Sequence, residues 1–312
     1  MSEFDVALMI EGQMGVNWPR WKRLAEAAER AGFAGLYRSD HFVEPTGPFD
    51  DALELWPPLL WLPAETRRIE FGPMVSPVSF RDPVVTAWTA SAVDDLSGGR
   101  LQLGIGAGWN EREHEAFGYG LLDPDARFRR LAEALEVVAR LLRGHGPQQF
   151  DGEFYHLRNA EMRPRPARPG GPPIVVGGNG PRRTLPLAAR WADEWNGVYL
   201  TPDGFADRCR RLDDLLREQG RAPASLRRTL MTRVVLGRDD AELERKLQGE
   251  SAAALAADGV LVGGPGEIAA GLRALREAGA QRVMLQWLDG LDDLEGIEAL
   301  GRAARTGLAA NG

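Results

Sequence analysis

The chain has 312 residues, of which 44% are hydrophobic and 27% charged, with 37 Gly and 21 Pro. This composition excludes a mostly disordered, collagen-like or coiled-coil chain, and no apolar run approaches the roughly 18–20 residues of a membrane span. A formal net charge of −7 argues against nucleic-acid binding. One Cys and four His, without a C-x-x-C or H-E-x-x-H pattern, argue against a metal site. The opening Met1-Ser2-Glu3-Phe4-Asp5 has no basic and apolar leader, and Cys209 has no partner for an internal disulfide, so a cytoplasmic setting is expected.

Short apolar runs alternate with longer amphipathic ones. A strand is predicted over 4–10. A helix follows over 18–31, with Trp21, Leu24, Ala28 and Ala31 at helical spacing and Gly32 as its stop. A second strand covers 33–38, a Pro-interrupted helical crossover 53–66, and a third strand 68–75. Asp82-Pro83 opens a helix that runs to Leu96. The fourth strand covers 101–105, and 106–123 reads as irregular. A helix over 124–143 buries Phe128, Leu131, Leu135, Val138 and Leu142. The segment 147–171, rich in Pro and aromatics, reads as an inserted loop or hairpin. Strands at 173–176, 194–199, 228–236 and 281–288 follow, with helices at 182–192, from Thr201-Pro202, and at 241–256, 265–278 and 291–304.

Eight strands, each followed by a helix, and no Ser/Gly-rich linker point to one domain over 1–312. The expected fold is α/β, a closed (β/α)8 TIM barrel, with right-handed crossovers. Function in such a barrel collects where strands end. Those ends offer Glu11, Gly12 and Gln13; Ser39, Asp40 and His41; Met74, Val75 and Ser76; Gly106, Gly108, Trp109 and Asn110; Gly177, Gly178, Asn179 and Gly180; Trp195 and Asn196; and Gln286 and Trp287.

Gly177-Gly178-Asn179-Gly180-Pro181 lies between a strand and a helix. It reads either as a phosphate cradle of backbone amides, helped by Arg182 and Arg183, or as a tight turn needing positive φ. Asp40-His41 suits proton transfer, or else a loop cap with a structural His. Glu113 and Glu115 read as a solvated helix start, while Glu111 and His114 stay open. Trp109 and Trp195 are placed to face a flat, apolar ligand. The helical Trp residues read as core packing or an oligomer contact, and Cys209 reads as packing.

Ile10-Glu11-Gly12-Gln13, Arg38-Ser39-Asp40-His41-Phe42, Glu70-Phe71-Gly72-Pro73-Met74-Val75-Ser76-Pro77 and Phe80-Arg81-Asp82-Pro83 carry a signature. It continues with Asp94-Asp95-Leu96-Ser97-Gly98-Gly99-Arg100, Gly104-Ile105-Gly106-Ala107-Gly108-Trp109, Glu113-His114-Glu115-Ala116-Phe117-Gly118, Val176-Gly177-Gly178-Asn179-Gly180 and Ala192-Asp193-Glu194-Trp195-Asn196. In this order and spacing the chain resembles the luciferase-like monooxygenase superfamily, and within it the oxidoreductases that use the deazaflavin F420.

The resemblance implies a barrel with an insertion between the fourth helix and fifth strand, where 147–171 falls. It implies a non-prolyl cis peptide at Met74-Val75 and a cofactor held by Asp40, His41, Met74, Val75, Ser76, Gly106, Asn110, Gly177, Gly178, Asn179 and Gly180. It implies hydride transfer between F420 and a small organic substrate; among the strand-end residues, His41, Asp40 and Glu11 are the candidates for the proton, and Trp109, Trp195 and Gln13 are placed around the substrate. In sugar-phosphate dehydrogenase relatives a glutamate after the fourth-strand glycines donates a proton. Trp109 occupies that neighbourhood here, which counts against a sugar-phosphate substrate. The alternatives are an FMNH2-dependent monooxygenase fed by a separate reductase, and a non-catalytic cofactor- or partner-binding barrel. A homodimer, no membrane contact and no metal are also expected.

Overall fold

The computed structural model describes residues 4–309, so the reading of Met1-Ser2-Glu3 lies outside the described residues. The first half of the chain runs β1 (Asp5–Ile10), α1 (Trp18–Ala31), β2 (Gly35–Arg38), α2 (Trp56–Glu65), β3 (Glu70–Pro73), β4 (Ser76–Pro77), α3 (Pro83–Ser97), β5 (Leu103–Gly106), α4 (Glu111–Phe117) and α5 (Pro124–Arg143). An antiparallel hairpin follows, β6 (Gln148–Asp151) and β7 (His156–Ala160). Then come β8 (Ile174–Gly177), α6 (Thr184–Trp191), β9 (Glu194–Val198), α7 (Pro202–Glu218), β10 (Arg227–Leu236), α8 (Asp240–Leu247), α9 (Ala252–Ala257), β11 (Leu261–Gly263), α10 (Pro265–Glu277), β12 (Arg282–Trp287) and α11 (Leu294–Ala309).

The fold is a (β/α)8 barrel. All its strand pairs are parallel, in the order β3-β2-β1-β12-β10-β9-β8-β5-β4. β3 and β4 are two pieces of one barrel strand. The first pairs with β2 and the second with β5, and a parallel bridge from Phe71 to Leu101 closes the circle. The break between the pieces is the Met74-Val75 peptide, which is cis.

Local sequence explains the sharper helix ends. Asn17 accepts the Arg20 amide at 3.1 Å, Pro19 occupies the first turn of α1, and Gly32 ends it at φ 84°, a left-handed cap that glycine takes without a Cβ penalty. Asp82 caps α3 and Asp123 caps α5 in the same way. The core between barrel and helices carries Leu8, Trp21, Leu36, Phe71, Leu135 and Phe205. The barrel interior holds a second layer of Ala7, Met9, Tyr37, Met74, Val175, Met231 and Met284. At the N-terminal ends of the strands, buried Arg282 donates to Asp5 and to the Tyr37 hydroxyl. That end is filled by charge pairs, which leaves the opposite end for chemistry.

Three expectations need correction. The stretch 106–123 is not irregular throughout, because α4 forms within it. The helix expected over 241–256 is two helices: Gln248 and Gly249 adopt φ 49° and 88°, which a right-handed helix cannot contain, and Ser251 caps the second. A further strand, β11, pairs with the end of β10.

Candidate functional site

At the end of β1, Glu11 accepts from the side-chain amides of Gln13 at 3.0 Å and Gln286 at 2.5 Å. Gln13 is only 4% exposed. Its amide also donates to Glu44 at 2.5 Å, and its carbonyl accepts from the Ser39 hydroxyl at 2.8 Å. Gln13 is therefore a brace between β1 and β2 and not a substrate wall. Gly12 lies over the buried guanidinium of Arg38, where a Cβ would fall 2.2 Å from Nη2. Arg38 donates to the carbonyls of Ser39, Leu53 and Glu54, and burial pushes its pKa down to about 10.

Asp40 and His41 stand at the end of β2. Asp40 is buried and accepts the Ser76 hydroxyl at 2.7 Å and two nitrogens of Arg81. His41 turns the other way. Its Nδ1 lies 2.8 Å from Glu113 Oε1, and the second oxygen of Glu113 accepts the Phe42 amide at 3.0 Å. Burial lowers the His41 pKa, but the hydrogen bond and charge of Glu113 outweigh it, with Glu11 and Asp40 adding, so the net direction is up. Among the described residues His41 Nε2 has no hydrogen-bond partner. The Trp109 ring meets the imidazole edge to face at 5.4 Å and is 58% exposed.

Glu113 is the residue that sequence reading missed: it is fully buried, not a solvated helix start. No sequence signal marked it, because α4 is too short for its periodicity to register. Glu113 lies in the first turn of α4 facing inward, whereas Glu111 and Glu115 face solvent. His114, also buried, donates from Nδ1 to the Asn110 carbonyl and accepts the Ser79 hydroxyl at Nε2, both at 2.7 Å. Asn110 is buried and donates to the Val43 carbonyl at 2.8 Å, so its side chain braces a loop and does not face a ring.

Val75 projects across the floor of the mouth. A Cβ on Gly106 would come within 2.5 Å of Val75 Cγ2, and one on Gly177 within 3.2 Å of Cγ1. Both glycines make room for the segment around the cis peptide. Beyond β8, Gly178 takes φ 118° and donates its amide to the Asn196 carbonyl at 2.9 Å. The Asn179 side chain clasps the Val198 backbone, donating at 2.7 Å and accepting at 2.9 Å. Gly178 and the Asn179 side chain thus build the loop and do not grip a ligand. The backbone amides of Asn179, Gly180, Arg182 and Arg183 make no hydrogen bond among the described residues. They open at the start of α6, an arrangement that suits an anion. Arg182 has no ion pair or hydrogen bond among those residues, whereas Arg183 pairs with Asp125.

Trp195 is not a pocket wall. It is fully buried, stacks on Phe205 at 5.4 Å and donates to the Gly178 carbonyl at 2.8 Å. The structure therefore gathers Glu11, Asp40, His41, Ser76, Trp109, the Met74-Val75 segment and the free amides after β8 at one end of the barrel. The residues fit a flat ring carrying a phosphate: a bulged floor cleared by glycines, free amides at a helix start, and a polar pair at the rim. Among the described residues no group of three or more His, Cys, Asp or Glu could hold a metal, and no helix is long and apolar enough to cross a membrane.

Known proteins share this architecture. The chain is 30% identical over 198 residues to the 5,10-methylenetetrahydromethanopterin reductase of Archaeoglobus fulgidus, covering 62% of this chain and 54% of that one. It is 30% identical over 187 residues to the 4-hydroxyprotoasukamycin monooxygenase of Streptomyces nodosus, covering 60% and 48%. The chain spans about half the length of the curated relatives it matches. A solved structure described as an F420-dependent secondary alcohol dehydrogenase in complex with an F420-acetone adduct superposes with a TM-score of 0.85 at 17% identity, over 97% of this chain and 99% of that one. The profile of the luciferase-like monooxygenase family matches residues 3–257, and the chain belongs to that family.

Proposed function

We propose that this chain is an oxidoreductase that binds F420 and moves a hydride between the deazaflavin and a small organic substrate. The observation that carries this reading is the His41–Glu113 pair, set beside Asp40 at the mouth with Nε2 left open. Bound F420 would supply the carbon that gives or takes the hydride; the protein supplies position and one proton. The amides of Asn179, Gly180, Arg182 and Arg183 would hold the phosphate, and Val75 would support the ring. In the oxidative direction a substrate hydroxyl gives its proton to His41 Nε2 as the hydride leaves carbon. In the reductive direction the imidazolium returns that proton to the forming alkoxide. Glu113 stabilises the imidazolium. Trp109 covers the imidazole and offers an apolar wall.

One observation favours a second reading. With Arg183 engaged by Asp125, Arg182 is the only arginine of that pair left to meet a polyanionic tail beyond the phosphate. A ligand that ends at its phosphate, as FMN does, fits such an exit. In this reading the chain is an FMNH2-dependent monooxygenase fed by a separate reductase. Fluorescence titration of the protein with F420 and with FMN decides between them. Micromolar binding of F420 alone supports the first reading, FMN alone supports the second, and binding of neither overturns both.

We also propose a single barrel unit, with 147–171 as an excursion from it, assembled as a homodimer. The outward stripe of α3, Val85, Trp88, Ala92 and Leu96, is exposed and carries no charge, and Leu60 of the neighbouring α2 is exposed as well. An uncharged helix face left exposed in this way fits an interaction surface.

A further inference from the structure

We propose that Arg81 is the positioning residue of this site, acting through Asp40. The inference rests on the cofactor reading above and adds a residue that this reading leaves without a role. Arg81 sits just before α3, distant in sequence from Asp40, yet every one of its five donors is engaged at the barrel mouth. Its Nε donates to Glu54 Oε1 at 3.0 Å, and Nη2 reaches the same oxygen. Nη1 donates to Asp40 Oδ2 and, at 3.1 Å, to the Ser76 hydroxyl oxygen. Nη2 also reaches Asp40 Oδ1 at 3.2 Å.

A guanidinium is a rigid planar fork, so this pairing sets the plane of the Asp40 carboxylate as well as its place. The same guanidinium holds Ser76, the first residue after the Met74-Val75 segment, and Ser76 donates to Asp40 in turn. Glu54 anchors the far side. Its carboxylate accepts the Trp56 amide at 2.8 Å, and its carbonyl accepts from buried Arg38. One side chain therefore locks the ends of two barrel strands to each other.

Arg81 has no donor left for a ligand, which makes it a positioning group and not a binding one. Asp40 does have capacity left. Oδ2 takes two hydrogen bonds and Oδ1 takes one, so Oδ1 keeps a lone pair for an N–H donor, the kind a pyrimidine-like ring edge offers. A lysine at position 81 would keep the charge and lose the fork.

The test is a double-mutant cycle read as ligand dissociation constants, with F420 and FMN as the probes. The proteins are wild type, Arg81→Lys, Asp40→Asn and the double variant. Losing one charge-assisted bond from the fork is expected to weaken binding about tenfold. In the Asp40→Asn background the same substitution changes binding by less than about twofold, because the group it acted through is gone. Added guanidinium ion restores binding to Arg81→Ala, and fails to do so once Asp40 is also Asn. Equal losses in both backgrounds, or rescue that ignores Asp40, overturn the proposal and leave the cofactor reading standing. Wild-type protein that binds neither probe overturns the cofactor reading instead. Should the Arg81 variants fail to fold, Ser76→Ala, which removes the hydroxyl that both side chains share, takes their place in the cycle.

Discussion

His41 Nδ1 and Glu113 Oε1 lie 2.8 Å apart, although 72 residues separate them. The turn after β2 that carries His41 and the short helix that carries Glu113 have no periodicity in common. Only closure of the barrel brings them together. The contact matters because Glu113 is buried with the imidazole, so its charge acts through little water.

This pair gives a pH prediction with a definite sign. The His41 pKa is raised in the folded protein, with Glu113 outweighing burial. Its contribution to stability is therefore fully present below the unfolded value of about 6.5 and is lost as pH rises through the folded pKa. Glu113→Gln removes the charge that opposes burial, so the His41 pKa should fall. With four His in the chain, proton NMR can follow each imidazole. The His41 titration should move to lower pH in Glu113→Gln, and the alkaline limb of the reductive rate should move with it. An unchanged His41 titration would refute the pairing.

Much of the architecture is readable from local signals. Asn17, Pro19 and Gly32 bound α1 at the expected residues, and α5 is equally well marked by Asp123 and its long apolar stripe. The failures are physical ones. α4 has seven residues, too few for periodicity to register, and it follows a glycine-rich run. The break after α8 depends on Gln248 adopting positive φ, which non-glycine residues rarely do. At the site, strand ends point to Asp40 and His41, but their partners Arg81 and Glu113 come from other turns of the barrel. Trp195 misled because its strand position matches a mouth residue, whereas its ring turns outward onto Phe205.

The two tryptophans give a contrast. Trp195→Ala opens a cavity against Phe205 and leaves the Gly178 carbonyl without its donor, and should cost about 3–5 kcal/mol. Trp109→Ala removes a largely exposed ring and should change stability by no more than about 0.5 kcal/mol, while lowering turnover through loss of the apolar wall. Chemical denaturation beside steady-state kinetics checks both. Equal destabilisation by the two would contradict this assignment.

The uncharged stripe of α3 predicts the assembly. Placing a charge in it, as Trp88→Glu or Leu96→Glu, should convert a dimer to a monomer in size-exclusion chromatography with light scattering. The far-UV spectrum should not change, because both side chains already lie at the surface. A wild-type protein that runs as a monomer at micromolar concentration would refute the dimer.

Gly106 and Val75 test the floor. In Gly106→Ala the new Cβ would sit 2.5 Å from Val75 Cγ2. Valine is stiff about χ1 and has no alternative end to swing away, so Val75 or its backbone must shift. Overpacking of this kind costs about 1–3 kcal/mol. A ring resting on Val75 would also bind more weakly. Val75→Ala in the same chain removes the colliding methyl and should recover most of the lost stability. It should not restore ligand affinity, because the support itself has been cut back. Melting temperatures and ligand titrations of the two single variants and the double variant separate these effects. If Val75→Ala returned affinity along with stability, Val75 would be filling space and not carrying a ring.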